Sequence, residues 1–393
     1  MNNEVLNTAI QDFINNNLNS DISSLLLKGI AFDTVDTKEI IEQIEAKKKS
    51  KNKLPTWFNT PNIYYPSKLN IEQTSSEITA QYKSQLVSGN SLIDLTGGLG
   101  VDSFYFSKKF NQVTHCEIDN KLSNIASHNF KQLQALNLST INQDGLEYLN
   151  IALKDYDCIY IDPSRRNDIK GKVFYLKDCL PIVTEHINSL FKHSNNILIK
   201  ASPMLDISVG LSELKFVKEI HIVAINNDVK EVLFVLENGY QETIGVKTIN
   251  IRKNTNEIFT FNLNEEAHAV ATFGDLQSYL YEPNSAILKS GAFKTLSSKL
   301  KVDKLHKHSH LYTSTELIDF PGRRFKILET IPFNKKLIKK VLKNKKANIS
   351  TRNFTETASQ LKKKFKIKDG GNLFVFFTTN VKNEKIVVLC NKT

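Results

Sequence analysis

Four carboxylates punctuate the middle of the chain at the ends of short apolar runs: Asp94, Glu117, Asp144 and Asp162. The first opens Asp94-Leu95-Thr96-Gly97-Gly98-Leu99-Gly100, with three glycines inside four positions. Such a turn between a strand and a helix offers free N–H groups and close backbone approach, which suits a nucleotide. An ordinary tight turn is the plainer alternative. Asp94 stands where it orders the turn or meets a cationic group of a ligand. Glu117 lies seventeen residues beyond Gly100, roughly the distance at which an acidic residue meets ribose hydroxyls. Asp119 reads as a helix N-cap. Asp144 either accepts a hydrogen bond from an adenine amino group or caps the helix that follows it. Asp162-Pro163 ends the next run, at the sheet edge where open α/β folds bind ligands, and proline stiffens that segment. Ser164, Arg165 and Arg166 come next. Paired arginines suit bidentate contacts to a substrate phosphate, with salt bridges to nearby carboxylates as the ordinary alternative. His306, His308 and His310 alternate within HKHSH, but no cysteine or carboxylate cluster accompanies them. A surface stretch is expected there rather than a metal site.

The elements that must position these residues are legible from period and breakers. VLNTAIQDFI and DTKEIIEQIEA carry apolar residues at helical spacing, the second with Asp36 or Thr37 as N-cap. KKKSKNKLPTW reads as a basic loop broken by Pro55, and TPNIYYPSKLN as extended. NIEQTSSEITAQYKSQLV reads as one helix starting near Thr74 or Ser75. From Ser91 the rhythm changes: SLIDL, QVTHCEI, STINQ, DCIYID and NILIKAS are strand candidates separated by helical stretches. FVKEIHIVAI and KEVLFVLEN form a hairpin across Asn226, Asn227 and Asp228. Five strand–helix units followed by a hairpin predict a doubly wound α/β sheet whose last strand is antiparallel. That order and the glycine spacing differ from those of a dinucleotide dehydrogenase. GVKTINIRKNTNEIFTFNL and GGNLFVFFTTNVKNEKIVVLC predict two further hairpins.

Charge divides the chain. Residues 281–393 hold 25 Lys and Arg against 8 Asp and Glu, a net of +17 within an overall +11. The preceding residues hold 27 basic and 33 acidic, a net of −6. A basic tail on an acidic front is the footprint of polyanion binding. No apolar run approaches the ~18 residues of a membrane span. The N-terminal MNNEVLNTAIQDFINNN has neither a basic n-region nor a cleavage site, so no signal peptide is expected. Cys116, Cys158, Cys179 and Cys390 are widely separated, which argues for a reducing cytoplasm and against disulfides or zinc.

Asp-x-x-x-Gly-x-Gly, an acid ending the second strand, an aspartate after the third and Asp-Pro after the fourth resemble class I S-adenosylmethionine-dependent methyltransferases. The whole chain beyond residue 35 is similar to a bacterial group of these enzymes with a C-terminal THUMP-like domain. EQTSSEITAQYK, DLTGGLGVDS, IDPSRR, YEPNSAILKSG and the tail's LKKKFKIKDGG carry that likeness. The resemblance implies a Rossmann-like, seven-stranded sheet with its last strand antiparallel. It implies an N-terminal helical region over 1–70, the methyltransferase domain over 71–276, a small ferredoxin-like linking segment over 277–320, and a basic α+β THUMP-like domain over 321–393. Gly97, Gly98 and Gly100 would line the methionine and ribose of the donor, with Asp94 and Thr96 in the same turn. Glu117 would take the ribose hydroxyls, Asp144 the adenine, and the segment from Glu72 through Gln73 to Ser76 would cover the donor. Asp162 would stand beside the sulfonium and the incoming nucleophile. The Asp-Pro segment is similar to the signature of amino-group methyltransferases, with Ser164 in place of a second proline and Arg165 in place of an aromatic. Asp162 and the Pro163 carbonyl would then accept from the N–H groups of a purine amine in tRNA or rRNA, with Arg165 and Arg166 on phosphate. Methylation of a protein or small molecule, or a non-catalytic RNA-binding protein that keeps the fold, are the competing readings.

Overall fold

In a computed structural model of the chain, all residues are described except Ala31, Leu153, 166–174 and Asn344, together with the Arg165 side chain. Contacts divide the chain into two units, residues 1–218 with 231–241 and residues 219–230 with 242–393.

The first unit begins with helices. α1 (Thr8–Asn16) and α3 (Thr37–Lys53) carry the expected apolar faces, with α2 (Ile22–Lys28) between them in the chain, and Asp36 caps α3 by accepting from Lys38 N–H at 2.8 Å. The lysine-rich stretch expected as a loop is instead the last turns of α3, because lysine is a good helix former and no breaker precedes Pro55. Pro55 itself starts α4 (Pro55–Asn59), where a missing N–H costs nothing. The helix expected from Thr74 or Ser75 is α6 (Glu77–Lys83), which Ser76 caps through Thr79 N–H, and a separate α5 (Lys68–Gln73) precedes it. The extended stretch between α4 and α5 is buried at Ile63, Tyr64 and Tyr65. Its backbone polar groups are met by side-chain amides: Gln43 exchanges two hydrogen bonds with Tyr65, and Asn129 exchanges two with Tyr64.

The strands follow as read. β1 (Ser91–Asp94), β2 (Gln112–Cys116), β3 (Leu138–Ile141), β4 (Cys158–Ile161) and β5 (Asn196–Ala201) are parallel. They are joined by α7 (Val101–Ser107), α8 (Asn120–Gln132), α9 (Gly145–Ile151) and α10 (Val183–Leu190), and α11 (Ile207–Glu213) follows β5. β6 (Val217–Ile225) leads through Asn226 and Asn227, both at positive φ, into β7 (Asp228–Glu237), as a two-residue hairpin turn requires. Within this unit the order is β3-β2-β1-β4-β5-β7, and β7 runs antiparallel to β5 from Ala201↔Val232 to Asn196↔Glu237. This is the Rossmann-like α/β arrangement, with its topological switch between β1 and β4.

The second unit carries β6 parallel to β8 (Gly245–Ile251), which pairs antiparallel with β9 (Asn256–Asn262). After α12 (Leu263–His268) comes a seven-stranded sheet. Its main strands are β10 (Tyr279–Pro283), β11 (Tyr312–Ser314), β12 (Gly322–Pro332), β13 (Asn348–Arg352), β14 (Leu373–Thr379) and β15 (Lys385–Lys392). The short α13 (Ser285–Ser290) and α14 (Phe293–Leu300) lie between β10 and β11 in the chain, and α15 (Lys335–Val341) and α16 (Ala358–Phe365) lie further on. Glu282 on β10 is buried and pairs with Arg323 on β12 and, at 2.7 Å, with Arg352 on β13. HKHSH is a turn rather than a strand. His306 is buried, bonded to Asn383 and Asn353 at 2.9 Å each, and His310 stacks on Phe293, so the expectation of a surface stretch holds only for Lys307 and His308.

Candidate active site

The carboxyl ends of β1, β2 and β4 and the α5–α6 connection surround a cleft of about 1010 Å³. Among the residues singled out from sequence, Gln73, Asp94, Thr96, Gly97, Gly98, Glu117, Asp144, Asp162 and Ser164 line it. Gly100 and Pro163 do not belong to its wall. Arg166 and the Arg165 side chain lie outside the described residues.

The three glycines of the turn answer to three different constraints. A Cβ at Gly97 would stand 2.2 Å from the His115 ring, and one at Gly100 would stand 2.1 Å from Phe130. Both positions are left open for protein packing. Gly98, at φ +57°, has open space around it, and its N–H donates to Glu117 Oε2 at 2.8 Å. Gly145, not singled out from sequence, is equally constrained: a Cβ there would meet the Leu95 carbonyl at 2.4 Å.

Asp94 is buried and orders the turn, accepting from Thr96 N–H at 3.0 Å and from the Ser103 hydroxyl at 2.5 Å. Burial pushes its carboxyl up to about 7 against those bonds, with Asp102 and Asp162 acting in the same direction as burial. Thr96 Oγ1 accepts from Asp162 N–H at 2.7 Å, which ties the glycine turn to the Asp-Pro segment. Glu117 also accepts from Asp119 N–H at 2.8 Å, and Asp119 caps α8 through Leu122 N–H. Each Glu117 oxygen keeps a lone pair for a further donor. Asp144 is the N-cap of α9, its Oδ1 accepting from Leu146 and Glu147 N–H, and the residue also lines the cleft.

Asp162 is not alone. Its Oδ2 pairs with the Lys200 ammonium, delivered by β5. Burial pushes the Asp162 carboxyl up, and Lys200 only partly opposes it. For Lys200, burial acts downward, but Asp162, Glu231 and Asp102 outweigh it and hold the ammonium above its ordinary range. Beneath lies a fully buried Lys83 on α6. Its ammonium meets both oxygens of Glu231 at 2.9 and 2.8 Å, Asp102 at 3.0 Å and Ser75 Oγ at 2.9 Å. Asp102 also accepts from Ser75 and Tyr160 hydroxyls at 2.7 and 2.8 Å. Burial acts to raise Asp102, yet Lys83 and Lys200 together hold it below the usual carboxylate range. Lys83, Asp102, Lys200 and Glu231 were not singled out from sequence. The available signal was a charged residue inside otherwise apolar strands, Lys200 in NILIKAS and Glu231 in KEVLFVLEN.

Comparison with known proteins gives the relationship. Residues 279–321 match a family described as a ferredoxin-like domain, and residues 322–392 one described as THUMP domain-like. No curated protein matches the chain by sequence. A crystal structure of a "putative methyltransferase" from Porphyromonas gingivalis W83 is 34% identical over 99% of this chain and 98% of its own, with a TM-score of 0.90. Two looser similarities are an rRNA methylase from Streptococcus thermophilus and TrmK from M. capricolum, the latter in complex with S-adenosyl-homocysteine. The first is 15% identical over 42% of this chain and 95% of its own, at TM-score 0.30. The second is 15% identical over 42% of this chain and 70% of its own, at TM-score 0.31. With its Rossmann-like sheet, its ferredoxin-like and THUMP-like segments and its full-length match, the chain belongs to the methyltransferase family of the P. gingivalis protein.

Proposed function

We propose that the protein transfers a methyl group from S-adenosylmethionine to RNA in the cleft above β1 and β4. The observation that carries this reading is convergence. Carboxylates from four separate strand ends, 68 residues apart between Asp94 and Asp162, line one cleft together with the glycine turn. In that reading Glu117 holds the ribose hydroxyls, Asp144 the adenine, and Gly97, Gly98, Thr96 and Gln73 surround the methionine and ribose. Asp94 acts from beneath as the residue that shapes the turn. Asp162 stands at the acceptor, and holding donor and acceptor in line is most of the work such a displacement needs. RNA as the substrate is supported by the +17 tail and the THUMP-like match. The likeness of Asp162-Pro163 to amino-group enzymes implies a purine amino nitrogen as acceptor. The Lys200 ammonium on that carboxylate bears on the choice and favours a different atom.

The test is transfer from labelled donor to RNA prepared from a strain lacking the gene. Wild-type protein should label that RNA, and Asp162→Ala should lower the rate roughly 100-fold or more. Calorimetry with S-adenosylhomocysteine should give binding that Glu117→Ala weakens at least about tenfold, a loss of roughly 1.4 kcal/mol. Full activity of the Asp162 variant would remove that residue from the site.

A further inference from the structure

Among the described residues that line the cleft, Lys200 is the one cation, and donor binding as assigned above makes no use of it. It projects from β5, whose Ile197, Leu198 and Ile199 are fully buried, into the side of the cleft that Asp162 and Ser164 also line. About 16% of its side chain and 31% of that of Asp162 remain accessible, so the ion pair faces the cleft rather than the core. Asp102 and Glu231 act on the same ammonium from below. Taking a lysine out of water at this position is costly unless it is paired. The fold meets that cost with Asp162 as the direct partner, and with Asp102 and Glu231, which also hold Lys83, adding negative charge beneath it.

A fixed cation at the acceptor end separates the chemical classes of nucleophile. An amine or ring nitrogen that attacks a sulfonium methyl gains positive charge as the bond forms. An ammonium at contact distance then raises the barrier. A hydroxyl behaves oppositely. It must lose its proton, its oxygen gains negative charge, and an ammonium beside it lowers the barrier while a carboxylate takes the proton. RNA carries one such alcohol along its chain, the ribose 2′-hydroxyl. We infer that the acceptor in this cleft is a ribose hydroxyl of RNA, with Asp162 and Lys200 acting together on its oxygen. This rests on methyl transfer to RNA as proposed above. The hydroxyl oxygen forms a bond to the donor methyl carbon as the carbon–sulfur bond breaks, and that bond's electron pair stays on sulfur to leave a neutral thioether. The hydroxyl proton passes to the Asp162 carboxylate and on to solvent. Lys200 keeps its proton throughout. Lys83 and Glu231, which do not line the cleft, are positioning residues for the Lys200–Asp162 pair, and Asp102 links them to the cleft wall.

Alkaline digestion of the labelled RNA separates the possibilities. Alkali cleaves through a free 2′-hydroxyl, so a methylated one leaves its label in a resistant dinucleotide, whereas a methylated base leaves it in a mononucleotide. With the full-length protein, label should be found in dinucleotides. Label in mononucleotides would overturn the hydroxyl inference and leave RNA methyl transfer standing. Absence of label from RNA would overturn both. Lys200→Met should lower kcat roughly 100-fold or more, with S-adenosylhomocysteine affinity within about threefold of wild type. Lys200→Arg, which keeps the charge, should recover part of the rate. Undiminished kcat in Lys200→Met would remove Lys200 from the chemistry.

Discussion

Asp94 lies beneath the glycine turn with both carboxylate oxygens engaged, one by Thr96 N–H and one by the Ser103 hydroxyl. Its folded carboxyl is pushed up to about 7, chiefly by burial, from an ordinary value of 3.8. Between those two values the folded protein binds more protons than the unfolded chain. The stabilisation this gives is complete below about 4 and is lost as pH rises through 7. Asp94→Asn removes the titration. Urea unfolding of wild type and variant, compared from about pH 4.5 to 8, should therefore diverge, the wild type losing about 3 kcal/mol relative to the variant. Parallel profiles would mean that Asp94 stays in one protonation state throughout. The spacing of Asp94, Glu117, Asp144 and Asp162 was readable from sequence because each follows a strand in a repeating strand–helix rhythm. The ion pairs were not. Lys83 and Glu231 are 148 residues apart, and nothing local announces that they meet. The glycines were read for ligand approach, but Gly97 and Gly100 make room for the side chains of His115 and Phe130, partners that only the packed sheet supplies.

At the scale of elements, α6 is fastened to β7 by a single buried ammonium. Lys83 is fully buried and so is nearly all of Glu231, with Asp102 on α7 as the third member. Removing one partner of such a set strands the others without water, at a cost of about 3–5 kcal/mol. Lys83→Met should destabilise the protein by that amount in urea unfolding. Lys83→Met with Glu231→Leu should recover much of the loss, because the double variant leaves no carboxylate at position 231 to strand. A double variant no more stable than the single would show that Glu231 is not the main partner. The same packing explains which elements were legible. Strands β1, β4 and β5 are largely buried apolar runs between polar segments, so composition delimits them, whereas β2 carries Thr114 and His115 and β3 is only partly buried. The end of α3 and the break between α5 and α6 depend on finer balances. Lysines continue the first helix until proline intervenes, and the Ser76 cap resets the second within an otherwise helical sequence.

Over the whole molecule, the chain is acidic before residue 281 and strongly basic after it, so the RNA binding proposed above predicts phosphate contacts in the tail. Truncating the THUMP-like segment is a poor test of this. β12 pairs with β10 from Tyr279↔Lys326 to Pro283↔Gly322, so removing residues from 321 onward would tear the seven-stranded sheet through its middle. Charge reversal avoids that damage. Lys335, Lys336, Lys339 and Lys340 are exposed on α15, while Ile338 and Val341 anchor the helix to the core. Each lysine on a phosphate releases counterions, and the dependence of log affinity on log salt changes by about 0.7 per contact for a single strand and 0.9 for a duplex. Replacing all four by glutamate should therefore reduce the magnitude of the RNA-binding salt slope by roughly three, provided each touches phosphate. Affinity for S-adenosylhomocysteine should stay within about twofold, since none of the four lines the cleft. A slope equal to that of wild type would place the RNA on some other face of the basic tail, and Lys363 and Lys364 of α16 with Lys366 just beyond it would be the next set to reverse.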